Sequence, residues 1–199
     1  MISKTMKLQE IVLSFPQKAQ KLRRIMRNLI PCSHELPNEP LETVLVSHGK
    51  KHYEIELFIK KLNDVLQEQT SPDAISLTET AANQLKALLS REEKIDWGLV
   101  IADQPASCGT GFEYKLGFSQ HPAPEDIVFY SHGMKIYTPR ATVNRFLGSL
   151  IDYEEGPIDD HHFEGLLKLG FTISNPNVKT TCPCGCSNNY DEKKEIAKL

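Results

Sequence analysis

Cys182-Pro183-Cys184-Gly185-Cys186, reached through Asn175-Pro176-Asn177-Val178-Lys179, packs three of the chain's five cysteines into five residues. A fourth, Cys108, stands upstream in Ser107-Cys108-Gly109-Thr110-Gly111, and Cys32 is the fifth. Neighbours this close cannot all pair with one another without severe strain, and the count is odd, so a disulfide framework is disfavoured. Metal binding or thiol chemistry in a reducing compartment fits better. Thiolates two residues apart on extended backbone point to the same side, and the glycines beside them permit positive φ and close approach.

Outward from that stretch, residues 75–190 read as many short strands with two helices. Ser76-Leu77 ends a strand, and Thr78 is an N-cap for a helix burying Ala81, Ala82, Leu85, Leu88 and Leu89. Gly98 to Ala102 is an apolar run of strand length, and Phe112, Tyr114, Leu116 and Phe118 alternate with Glu113, Lys115 and Gly117. Ile127–Tyr130 and Met134–Tyr137 flank Ser131-His132-Gly133 as a hairpin. A helix is expected around Ala141 to Leu150, then strands at Ile151–Glu154 and Gly170–Ser174. The cysteine stretch follows as a flexible tail behind the last strand, and 191–199 form a charged end. Glu155 to His162 reads as a surface loop whose Asp159-Asp160-His161-His162 quartet is either solvated or a metal site.

Residues 1–68 read as a separate all-α unit. Leu8, Ile11, Val12 and Phe15 give one apolar helical face, and Ala19, Leu22, Ile25, Met26 and Leu29 repeat it. Lys18, Lys21, Arg23, Arg24 and Arg27 fall mostly outside the second face, as a solvated surface or a contact for an acidic partner. Pro31, Pro37 and Pro40 mark a loop holding Cys32, a short helix stops at His48-Gly49, and Ile55, Phe58, Ile59, Leu62, Val65 and Leu66 form the last helix. Polar residues 69–74 link the two units.

The chain has 199 residues, 40% hydrophobic and 25% charged, with net charge -3. That balance suits a globular protein and gives no reason to expect nucleic acid as a partner. No apolar run approaches the roughly 18 residues of a membrane helix, and the first residues lack a continuous apolar signal region, so a cytoplasmic protein is expected.

Residues 75–190 resemble the A-type iron–sulfur carrier family, the HesB/IscA-like proteins. The matching series is Leu77-Thr78-Glu79 with Ala81-Ala82, then Cys108, Gly109, Gly111 and Tyr114. Pro124 to Phe129, Leu147-Gly148, Ile151-Asp152-Tyr153, Gly170-Phe171 and Asn175-Pro176-Asn177 follow, closing on the cysteines. The resemblance implies an α+β, mostly-β domain that is not an enzyme. It implies a protein that binds a 2Fe-2S or 4Fe-4S cluster, or iron alone, and transfers it to apo-proteins. A homodimer sharing the cluster is implied, as are apo iron–sulfur proteins and cluster scaffolds as partners.

One body cysteine and two tail cysteines are the ligands the resemblance implies. Counting from Asn175-Pro176-Asn177 selects Cys108, Cys182 and Cys184, with Pro183 in a glycine position; matching the Cys-Gly-Cys string selects Cys184 and Cys186 instead. Cys186 is thus an alternative or additional ligand. A structural zinc site or a thiol-redox role for the same cysteines are the competing readings, although zinc favours wider spacings. Residues 1–68 are loosely similar to a small helical domain associated with hybrid-cluster redox proteins. Its second loop cysteine is replaced here by Glu35, which leaves Cys32 without a local partner: a lone reactive thiol, an extra ligand or an inert buried cysteine.

Overall fold

A computed structural model describes residues 1–30, 37–155, 164–183 and 185–190. Helix α1 (Leu8–Ser14) buries Leu8, Ile11 and Val12 on one face, as their spacing requires. Pro16 opens a 3-10 turn (Pro16–Lys18), where its missing N–H costs nothing, and the chain continues into α2 (Ala19–Leu29). Helix α3 (Leu41–Ser47) ends where Gly49, at φ 75°, donates its N–H to Val46. Helix α4 (His52–Leu66) completes one buried apolar cluster that includes Leu22, Met26, Leu41 and Leu62.

A second apolar cluster forms around two sheets. The elements are β1 (Ser76–Leu77), α5 (Glu79–Arg91), β2 (Gly98–Pro105), β3 (Phe112–Ser119), β4 (Asp126–Ser131) and β5 (Met134–Pro139). Then come β6 (Leu150–Tyr153), α6 (Gly165–Lys168), β7 (Phe171–Ser174), β8 (Val178–Thr181) and β9 (Asn188–Tyr190). The sheets run β1-β6-β7 and β4-β5-β2-β3-β9-β8. Thr78 caps α5 by accepting from the Ala81 N–H at 3.1 Å. The β4–β5 turn places His132 and Gly133 at φ 48° and 74°, which matches the twist of the flanking strands.

Three expectations need correction. The helix around 141–150 is only a 3-10 turn (Val143–Arg145), and Leu150 already belongs to β6. The carbonyls that a helix would use are taken elsewhere: Arg145 accepts from the Asn175 amide at 2.7 Å, and Leu147 accepts from Asn177 at 2.7 Å. Gly148, at φ 81°, turns the chain away. The Asn-Pro-Asn stretch therefore locks a distant loop.

The cysteine stretch is not a free tail. It joins β8 to β9, with Thr181 opposite Asn188, and so lies in a β-hairpin. The strands are short and carry little apolar alternation, which hides them in the sequence.

The basic face of α2 is not solvated. Lys21, Arg23, Arg24 and Arg27 are 4%, 0%, 1% and 8% exposed. Helix α2 lies between the helical cluster and the sheets, so both of its faces are covered. Lys21 pairs with Glu68 and Asp152, and Arg24 donates to the Glu154 carbonyl at 3.5 Å. The Gln20 side chain accepts the Ile173 N–H at 3.3 Å, occupying the open edge of β7. A polar, charged seam thus separates the two apolar clusters. Among the described residues, no helix is long and apolar enough to cross a membrane.

Candidate metal centre

Two hairpin loops meet at one end of the six-stranded sheet because β3 pairs with β9. The β2–β3 loop is closed by the Ala106 N–H donating to Gly111 and the Gly109 N–H donating to Ala106, both at 3.0 Å, and it presents Cys108. Gly111 is required there. At φ 74°, a Cβ on it would stand 2.7 Å from the Asn188 carbonyl oxygen. Only hydrogen at this position lets β9 come alongside. Arg145 fixes the strand from the other side, lying 4.1 Å over the Phe112 ring and 5.6 Å from that of Tyr190 while paired with Asp103 at 2.9 Å.

In the β8–β9 loop the Cys182 N–H donates to Ser187 at 3.3 Å, and the Gly185 N–H donates to Cys182 at 2.8 Å. This tight turn brings Cys182 and Cys186 to one side, their sulfurs 3.5 Å apart. With Cys108, the three Sγ atoms all lie within 4.8 Å of one another. Cys108 is exposed, Cys182 half-buried and Cys186 buried. Two thiolates at the Cys182–Cys186 separation repel by about 5 kcal/mol at an effective dielectric constant near 20. The trio becomes comfortable as anions only around a soft cation.

Polar neighbours favour that state. The Ser187 N–H donates to Cys182 Sγ at 3.4 Å. The buried Ser187 hydroxyl has no partner of ordinary geometry among the described residues. It lies beside Cys108 and, with the Thr110 backbone, holds that thiol below its ordinary 9.0 against a smaller opposing effect of burial. A cavity of about 380 Å³ adjoins Cys186, walled by Gln20, Gln104, Glu113 and Glu164.

Residues 74–186, the body that carries both loops, match the family model for iron–sulphur cluster biosynthesis. The chain belongs to that family. An uncharacterized protein of Bradyrhizobium diazoefficiens, blr1755, is 33% identical over 113 residues, 57% of this chain and 97% of that protein. The iron–sulfur cluster insertion protein ErpA of Histophilus somni is 31% identical over the same length, 91% of its own chain. The crystal structure of IscA with the [2Fe-2S] cluster is similar at 27% identity and a TM-score of 0.46, covering 58% of this chain and 97% of that one.

Among the family residues expected at the site, Cys108 and Cys182 are brought together, and Cys186 joins them. Cys184 lies outside the described residues, as do Cys32 and Asp159-Asp160-His161-His162. Ser187 and Gln20 were not anticipated. Ser187 follows directly on Cys186 and could have been flagged as a hydroxyl beside thiolates. Nothing in the sequence ties Gln20 to a strand edge 153 positions away.

Proposed function

We propose that this member of the iron–sulphur cluster biosynthesis family binds an iron–sulfur cluster through Cys108, Cys182 and Cys186 and passes it to apo-proteins. The observation that carries the ligand set is the gathering of three cysteine sulfurs within 4.8 Å on two adjacent loops. Thiolates are the donors that iron–sulfur units require, and one half of the set is open to solvent. Cys184, common to both sequence registers, is proposed as a further ligand. The exposed Cys108 lets a second copy approach the same site, which supports the homodimer as the loaded form. Apo iron–sulfur proteins and a cluster scaffold in the cytoplasm are the proposed partners.

Anaerobic reconstitution of the full chain with ferrous iron and sulfide, read by visible absorption, tests this. A brown protein with sulfide-to-metal charge-transfer bands is the expected result, with native mass spectrometry giving two chains per cluster. A colourless protein that retains stoichiometric zinc through the same cysteines overturns it.

A further inference from the structure

We infer that the N-terminal helices are a clasp on the cysteine hairpin: α1 and α2 seat on Gly185 and close over Cys186, so this chain's own N-terminal unit governs when its thiolate site opens. The clasp itself stands on geometry alone; its consequence for cargo release rests on the function proposed above.

The contact is at the hairpin tip. A Cβ on Gly185 would lie 3.3 Å from Val12 Cγ1, 3.6 Å from Arg23 Cδ and 3.8 Å from the Ala19 carbonyl oxygen. The tip therefore rests on both helices at once, between Cys184 and Cys186 in the chain. The approach is held on either side. The Asn175 N–H donates to Gln17 at 2.8 Å just before β8, Gln20 takes the edge N–H of β7, and Lys21 anchors α2 to Asp152. Exposure differs between the two loops: Cys108 is exposed, and Cys186, next to Gly185, is 4% exposed.

Two relatives have no room for this cover. The 113 residues matched already take up 97% of the Bradyrhizobium relative and 91% of the Histophilus one. Neither has length left for a counterpart of the four helices. The seam is also of a kind that can part. Each apolar cluster is complete on its own side, and what joins them is an array of ion pairs and hydrogen bonds that water can replace. Release would then be ligand exchange: each iron–thiolate bond to this chain is replaced by one to an acceptor thiolate, with no change in electron count.

The test is alkylation of the apo full-length chain by iodoacetamide, each cysteine followed by fragment-ion mass spectrometry. Cys186 is expected to react at least about tenfold more slowly than Cys108. Val12→Ala combined with Arg23→Ala should raise the Cys186 rate about tenfold and leave Cys108 unchanged. Lys21→Met, which loosens the seam away from Gly185, serves as the second variant should the first fail to fold, and should act in the same direction. Leu89→Ala, a core change on α5, should leave the ratio alone. In reconstituted protein, transfer to an apo [2Fe-2S] ferredoxin should accelerate with the Cys186 rate. The clasp is overturned if Cys186 reacts as fast as Cys108 in the unaltered chain, or if the folded loosened variants leave its rate unchanged. Accelerated alkylation with unaltered transfer overturns its role in release. Accelerated alkylation in a chain that forms no chromophore supports the clasp and overturns the cluster function instead.

Discussion

The two loops that build the thiol site are held in opposite ways. The Cys108 loop is short, glycine-bearing and exposed, fixed by its own turn, by β9 and by Glu113, which accepts from the Ser107 N–H and hydroxyl. The cysteine hairpin is packed under α1 and α2, with Cys186, Ser187 and Asn188 almost fully removed from water. The difference shows how a site can be both accessible and retained. One half offers a thiol to solvent at little cost in burial, while the other draws its position from helices that belong to a different part of the sequence.

The largest expected effect comes from removing the open half. Cys108→Ser should reduce the visible chromophore of reconstituted protein by at least about tenfold, since even outer-shell changes weaken metal sites by 10–100-fold. A chromophore of unaltered intensity would mean that the hairpin suffices alone. Gly111→Ala attacks the joint between the loops. A side chain in the left-handed region that also meets the Asn188 carbonyl should cost about 3 kcal/mol, seen as a lowered thermal midpoint and a weakened chromophore together.

Asp152→Asn addresses the support of the buried half. Lys21 keeps Glu68, so the loss should be about 2 kcal/mol, less than for a buried pair with no second partner. Burial alone would raise the Asp152 carboxyl, but Lys21 and Thr78 hold it below its ordinary 3.8. A carboxyl lowered in the folded state contributes stability that is present above that value and is lost as pH falls through the folded one. Thermal melts of the unaltered chain should therefore drop on acidification below 3.8, with a shallower drop in Asp152→Asn. Lys21 has the opposite sign. Burial would lower its ammonium, yet Asp152 and Glu68 raise it above 10.5, so its share persists until pH rises past that value. The smallest effect is expected for Ser187→Ala. It removes a buried hydroxyl that lacks an ordinary partner, and the thermal midpoint should change by no more than about 0.5 kcal/mol equivalent.

Much of this was legible in the residues. The helical faces of α1, α2 and α5, the Thr78 cap, the alternation of β3 and the β4–β5 turn each carry a local signal that the structure retains. Cys108 and Cys182 were legible as partners through the family series, and Cys186 only as an alternative. The 141–150 segment was misread because its helical pattern is overruled by Asn175 and Asn177, whose side chains claim its carbonyls from some thirty positions away. Strands β8 and β9 escaped notice because four and three residues around a cysteine loop give no periodicity to read.

By itself the sequence determined the family, the thiol chemistry and the amphipathic faces, because each depends on residue type and near-neighbour spacing. Tertiary structure alone decided that a helix rich in lysine and arginine is buried. Periodicity reports which apolar groups leave water, whereas a charged group can leave water only where a partner waits for it. For Lys21 one of those partners, Asp152, lies 131 positions along the chain. The same packing turned a cysteine stretch that read as a mobile tail into a hairpin held beneath helices.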